Sequence, residues 1–243
     1  MARGRFLDRR FEVLGASLPA PVALLITVTL VSSILAAQLR GFGAFSPLVP
    51  ILVFAGQVWR LVTYVFVMRN PLGLIFGCLA IFWFGRDLLR IWSPVGLLAR
   101  YVGVAAAAGI VTCLMAFFSS ELEVFEFAGM WPATSALIIA WACAFPGRTM
   151  LFNFIVPLSG RNLIYATFAS TLLYALLAGS IAVYIPDFVA QVVTLAAMRG
   201  NPLGGLWAKV KFELAYRRWR HRSRNLREVP RQESRDEDPR WYH

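Results

Sequence analysis

Long apolar runs dominate this chain and limit what it can fold into more than any other feature. Hydrophobic residues make up 58% of its 243 positions, and charged residues only 15%. A helix needs about 20 apolar residues to cross the hydrocarbon core of a bilayer. We therefore expect an all-α membrane protein. The apolar runs predict six spans, over residues 21–39, 71–84, 95–118, 127–145, 163–184 and 187–198.

Two of these spans have ends that the sequence leaves open. The second stops at residue 84 or continues to 92, and the sixth stops before Arg199 or continues to Trp207. The fourth span is short. If Pro132 is its first helical residue, the run covers only about 20 Å at about 1.5 Å per residue. Local thinning of the bilayer would accommodate a span of that length.

Charge is distributed unevenly along the chain and predicts its orientation. The net charge is +11, and eleven of the 24 basic residues follow Trp207. Basic residues that flank spans usually mark the cytoplasmic side, so we predict that both termini are cytoplasmic. Nucleic acid is not an expected partner. The membrane would be the bacterial inner membrane in a prokaryote, or the endoplasmic reticulum or another endomembrane otherwise.

The same pattern predicts three regions. Residues 1–20 form a basic cytoplasmic segment, residues 21–207 a six-span membrane domain, and residues 208–243 a basic cytoplasmic tail. The tail is predicted to begin as an interfacial helix and to end disordered. Its basic residues would attract anionic lipid headgroups.

The segment between the first two spans, residues 42–69, is too apolar for a free loop and too interrupted for a span. We predict that it lies in the outer membrane interface, with Trp59, Tyr64 and Phe66 at headgroup depth. A charged side chain costs about 2.5–3.5 kcal/mol at the bilayer centre, so Arg60 should find headgroups or a carbonyl of a partner.

Side chains that could carry intramembrane chemistry are scarce. A serine–histidine catalyst needs an imidazole beside its nucleophile, yet the two histidines, His221 and His243, both lie in the tail. The three cysteines fall in separate apolar runs, which favours packing over a disulfide or a metal site. We predict no metal and no cofactor.

Residues 57–66, QVWRLVTYVF, lie between the first and second predicted spans. In that position they resemble the loop motif shared by rhomboid proteases and derlins. The resemblance covers roughly residues 20–210. It implies a six-transmembrane-helix, rhomboid-like bundle with an interfacial loop between the first two spans and with both termini inside.

The resemblance fails at the catalytic positions. Active rhomboids carry Gly-x-Ser-Gly at the start of the fourth span and a histidine in the sixth. The matching nucleophile position here holds Thr134, or Ser135 after a shift of one residue, and Gln191 stands where the histidine is expected. A glutamine side chain cannot accept a proton near neutral pH. We therefore predict no catalytic residues.

Derlins also lack the catalytic pair. Residues 145–154 resemble the derlin connection after the fourth span, in which a short polar stretch precedes an amphipathic segment. We expect a proteolytically inactive, derlin-like scaffold that binds transmembrane proteins or their helices. The residues predicted to contact partners or the membrane are Gln57, Trp59, Arg60, Trp131 and Pro132.

Two alternatives remain open at this point. One is an active rhomboid intramembrane serine endopeptidase with a non-standard catalytic arrangement. The other is a small transporter or lipid-handling protein, which would need polar residues along a path through the bundle.

Overall fold

The computed structural model describes residues 10–13, 16–39, 41–42, 46–152 and 156–200. These described residues belong to one compact unit. Its long helices are α1 (Ala20–Gln38), α4 (Pro71–Leu88), α5 (Pro94–Ala116), α7 (Trp131–Ala144), α8 (Gly160–Leu177) and α9 (Ile185–Gly200). Three short helices, α2 (Pro50–Phe54), α3 (Arg60–Thr63) and α6 (Ser120–Val124), lie in the connections. The tail and its predicted interfacial helix lie outside the described residues.

Proline and capping residues set the starts of the long helices. A proline occupies the first or second position of α1, α4, α5 and α7, where its missing N–H would have had no helical partner. Asn70 caps α4 by accepting from Leu72 N at 3.0 Å, and Ser93 caps α5 by accepting from Gly96 N at 3.1 Å. These local signals explain why the predicted starts at 71 and 95 lie within one residue of the observed ones.

Among the described residues, four helical segments are long and apolar enough to cross a membrane by length and composition. They are Ala20–Gln38, Pro71–Leu88, Pro94–Ala116 and Ala182–Arg199. Only 22% to 39% of the residues in these segments are buried, so much of their apolar surface faces outward. Such surfaces suit a lipid environment. The remaining two spans, and so the count of six, stay predictions.

The fifth predicted span ends earlier than expected. We placed its end at residue 184, but α8 stops at Leu177 and a 3-10 turn over Ala182–Tyr184 leads into α9. Gly179 adopts a φ of 68° and donates to Leu176 O at 3.1 Å, while Ser180 N donates to Ala175 O at 3.2 Å. This is a Schellman motif, which terminates a helix even inside an apolar run.

Helix α7 lies at the centre of the bundle and packs against α4, α5, α8 and α9. It has 14 residues, or about 21 Å at about 1.5 Å per residue, so the expectation of a short fourth helix is confirmed. Ten of the 14 are buried, and alanine is frequent among them. Small side chains allow neighbouring helices to approach closely, which suits a helix surrounded by others.

Two antiparallel hairpins, absent from the sequence-based prediction, flank the helices. Strand β1 (Arg10–Val13) pairs with β2 (Ala16–Pro19) before α1, and β3 (Thr149–Phe152) pairs with β4 (Val156–Ser159) before α8. The second hairpin occupies the position where the derlin resemblance implied an amphipathic segment. Both hairpins lie outside the long helices, so the architecture of the membrane domain remains helical.

Candidate functional site

The loop between α1 and α4 is attached to the start of α7 by backbone hydrogen bonds. Leu48 and Phe127 form an isolated antiparallel bridge, with N–O distances of 2.8 and 2.9 Å. Gly129 N donates to Tyr64 O at 3.1 Å. Gly129 has a φ of 148°, which a residue with a Cβ rarely adopts, so glycine permits this contact. The loop, residues 46–69, is therefore connected to the residues that lead into α7, 127–131. We call these two segments together the loop layer.

Arg60 is the internal anchor of this loop. It is only 4% exposed. Its Nη1 donates to Pro47 O at 2.6 Å, and its Nε donates to Gln57 Oε1 at 2.7 Å. Desolvation lowers the pKa of the Arg60 guanidinium, and the nearby Glu126 carboxylate opposes that shift. The sequence predicted headgroups or a partner's carbonyl for Arg60, whereas the structure supplies a carbonyl of the same chain.

Tyr64 lies in the core of the bundle, and its predicted position at headgroup depth stays a prediction. It is 1% exposed, and its hydroxyl donates to Ala105 O of α5 at 3.0 Å. Burial raises the pKa of this phenol. Phe66 is half-buried and packs against Tyr101, with ring centroids 5.8 Å apart. Of the three predicted interfacial aromatic residues, only Trp59 is exposed, at 39%.

The loop also contacts α5 closely at a glycine. A Cβ added to Gly109 would lie 3.1 Å from Leu61 Cδ2 and 3.3 Å from Leu61 O. The backbone of α3 thus rests on α5 at a position where a larger side chain would separate them. Together with the Tyr64 hydrogen bond, this contact makes the loop part of the folded core.

The candidate nucleophiles Thr134 and Ser135 are buried in the first turn of α7, at 0% and 6% exposure. The Thr134 hydroxyl donates to Met130 O at 2.8 Å, and the Ser135 hydroxyl donates to Pro132 O at 3.2 Å. Both hydroxyl protons are therefore directed to carbonyls of the same chain segment. Such bonds are common for serine and threonine near helix starts.

Gln191 lies in α9, which packs extensively against α7. The residue is fully buried, and its Nε2 donates to Thr171 Oγ1 of α8 at 2.6 Å. Its Oε1 has no hydrogen-bond partner among the described residues, and neither has the hydroxyl of Thr194 on the next turn. The structure thus brings the two helices together but pairs Gln191 with α8 rather than with the hydroxyls of α7.

Tyr101 was not among the sequence-based candidates. It is 1% exposed, and its hydroxyl lies beside Thr134 without a hydrogen bond of good geometry. Its position near the start of the third predicted span, directly after Arg100, gave no sign that it would face α7. Thr171 was missed for a similar reason, because its partner Gln191 lies 20 residues away in the sequence.

The predicted contact residues divide between the interior and the surface. Gln57 and Arg60 bind each other, and Pro132 is buried. Trp59 and Trp131 are 39% and 41% exposed. Further exposed apolar side chains of the same connections are Val58, Phe117, Phe118 and Val124.

At the opposite end of the bundle, Asp87 joins α4 to α7. Its Oδ2 accepts from Trp141 Nε1 at 3.1 Å and from Arg148 Nη1 at 3.3 Å. Its Oδ1 lies 3.5 Å from Arg90 Nη2. Within the part of the chain that the structure describes, no group of three or more His, Cys, Asp or Glu residues could hold a metal ion.

Several long apolar helices around a short, buried central helix define this chain as a helical, multi-pass integral membrane protein. Comparison with known families agrees with that class. Residues 20–198 match the family described as eukaryotic integral membrane protein (DUF1751), and the chain belongs to this family. A comparison with curated proteins finds no match.

Proposed function

We propose that this protein is a rhomboid-like scaffold without proteolytic activity, which binds transmembrane helices of other membrane proteins. Three features support the rhomboid-like assignment. A tryptophan–arginine loop connects α1 to α4, a short central helix follows it, and α9 packs against that helix. The derlin-like aspect rests on the residues at the catalytic positions.

The observation that carries the proposal is the hydrogen bonding of those residues. A hydroxyl nucleophile needs a neighbouring base that takes its proton and returns it to the leaving group. Thr134 and Ser135 donate instead to backbone carbonyls, which are far too weakly basic for that role. Gln191, at the position that holds a histidine in active rhomboids, donates to Thr171. An amide supplies no proton acceptor near neutral pH.

A cleavage assay tests the lack of activity. The full-length protein is purified in detergent and incubated with a labelled single-span transmembrane peptide, alongside Thr134→Ala and Ser135→Ala variants. An active rhomboid protease on the same peptide serves as the positive control. We expect no product from any form of this chain. Product from the wild type that disappears in either variant would establish the protease alternative.

Partner binding is assigned to the exposed side of the loop layer. Trp59 and Trp131 present large apolar rings with one polar N–H each, a type of side chain enriched in binding hot spots and at membrane interfaces. The buried face of the same layer is occupied by Arg60 and Tyr64. The exposed tryptophans can therefore contact another helix without unfolding the loop, and we assign them the main part because of their large aromatic rings.

Energy transfer in proteoliposomes tests this assignment, with the same single-span peptide as the probe. Trp59→Ala should weaken peptide association by roughly tenfold, because truncating a hot-spot aromatic residue costs on the order of 1–2 kcal/mol. Tyr165→Ala is the matched control, since Tyr165 is an aromatic residue of α8 with 68% exposure. Membrane insertion should be unchanged in both variants. Equal association of wild type and Trp59→Ala would refute the assigned surface.

A further inference from the structure

A cluster of arginines surrounds Asp87 at the end of α4. The Asp87 side chain is 14% exposed, whereas those of Arg90 and Arg148 are 57% and 47% exposed. Arg90 follows α4 in sequence, and Arg148 follows α7. One carboxylate therefore holds two guanidinium groups from separate segments at the surface, and the group keeps a net positive charge.

The two ion pairs leave capacity for a second anion. Their distances are 3.5 Å for Arg90 and 3.3 Å for Arg148, longer than the roughly 2.7–2.9 Å of a tight charge-assisted hydrogen bond. Asp87 also accepts from the Trp141 indole. Each guanidinium carries five N–H donors, and one carboxylate cannot satisfy both sets. Both side chains remain about half exposed, so donors that Asp87 leaves unused are open to a second anion.

A third positive element lies beside Arg148. Gly160 N donates to Arg148 O at 3.0 Å, so α8 begins next to this arginine. Arg161 is exposed in the first turn of α8 and makes no ion pair with a described residue. The N-terminus of an 18-residue helix adds a partial positive charge to the same place.

The position of the cluster identifies the class of ligand. Only a short turn separates α4 from α5, and both helices are long and apolar enough to span a membrane, so the turn lies at the depth of the lipid headgroups. Trp141, a buried residue of α7, donates its indole N–H to Asp87 and so fixes the carboxylate at this end of the bundle. Guanidinium groups bind phosphate oxygens with bidentate geometry.

We propose that Arg90, Arg148 and Arg161 bind the phosphate of an anionic phospholipid headgroup, with Asp87 holding two of the guanidiniums in position. This site belongs to the membrane domain and is distinct from the basic tail. It also does not depend on the scaffold function, because none of its residues lies in the loop layer.

Native mass spectrometry of the full-length protein in detergent tests the site. The probes are phosphatidic acid and phosphatidylcholine with identical acyl chains, and glycerol 3-phosphate as a soluble phosphate monoester. Wild type should retain phosphatidic acid in preference to phosphatidylcholine. Arg148→Gln should weaken that binding about fivefold, and Arg90→Gln with Arg148→Gln roughly thirtyfold, from the charge contribution typical of one basic residue near an anionic surface.

Arg69→Gln is the matched control. Arg69 is also an exposed arginine paired with a carboxylate, Glu126 at 2.9 Å, but it lies in the connection that precedes α4. Its substitution should leave phosphatidic acid binding unchanged. The tail is intact in every variant, so its contribution cancels.

Three results would overturn the proposal. They are equal binding of the two lipids, equal binding by wild type and the double variant, and an equal loss in Arg69→Gln. If glycerol 3-phosphate displaces the lipid at similar concentration, the ligand of the site is a free phosphate monoester rather than a lipid headgroup. If the double variant does not fold, Arg161→Gln decides, because it removes a charge without an ion pair and should still weaken binding about fivefold.

Discussion

The internal anchoring of Arg60 makes a quantitative prediction about the loop. Arg60→Met keeps a long apolar side chain but removes the donors to Pro47 O and Gln57 Oε1. A buried acceptor that loses its donor costs about 1–3 kcal/mol, which applies to Pro47 O, whereas the partly buried Gln57 Oε1 adds less. Removing a desolvated charge recovers part of that cost. The net loss in free energy of unfolding should be about 2 kcal/mol.

Thermal unfolding in detergent, followed by tryptophan fluorescence, measures this loss. A destabilisation of about 2 kcal/mol should lower the Tm by roughly 4–8 °C in a protein of this size. Arg69→Met is the control, because Arg69 lies in the same loop and its side chain is 62% exposed. An exposed ion pair contributes about 0–1 kcal/mol, so Tm should fall clearly less than in Arg60→Met.

Equal Tm values for the two variants would refute the reasoning. They would mean that the Arg60 hydrogen bonds do not support the fold, and that Arg60 is available for headgroups as the sequence first indicated. A fall in Tm restricted to Arg60→Met would instead assign the arginine of the loop motif a structural role.

Two further stability predictions concern the other end of the bundle. A Cβ on Gly160 would lie 2.7 Å from Phe145 O, so Gly160→Ala should lower the free energy of unfolding by about 1–3 kcal/mol. Gly147 has open space around it, so Gly147→Ala should leave the free energy of unfolding nearly unchanged. Equal denaturation midpoints for the two alanine variants would contradict that close approach. Trp141→Phe loses the hydrogen bond to Asp87 and should cost about 1–2 kcal/mol; an unchanged Tm would show that this bond is not stabilising.

The fold was predictable where the determining signals are local. Apolar length located α4 and α5, and the structure explains the agreement at their starts by Pro71 and the Ser93 cap, because a proline or a cap acts within one helical turn. The end of α8 was not predictable by apolar length, since apolar residues continue at 181–184 after only Gly179 and Ser180. There the backbone conformation of Gly179 ends the helix, and the apolar residues 181–184 belong to the turn that leads into α9.

The hydrogen-bond contacts of the candidate residues could not be predicted from the sequence. Resemblance identified Thr134 and Gln191, and both lie in helices that pack against each other. The bond from Gln191 to Thr171 joins two helices, and only their relative rotation in the bundle determines it. Tyr64 illustrates the same limit. A tyrosine suits a membrane interface and a core hydrogen bond equally well, because it has an apolar body and a polar tip.

The loop layer has two faces, and this division constrains how its function can be tested. Arg60 and Tyr64 hold the inner face to the carbonyls of Pro47 and Ala105, so substitutions there should change stability first and binding only as a consequence. Trp59 projects from the outer face, so its truncation can change binding while the fold persists. A loss of partner binding in an Arg60 variant therefore does not identify a contact residue, because the whole layer, including the outer face, would be displaced.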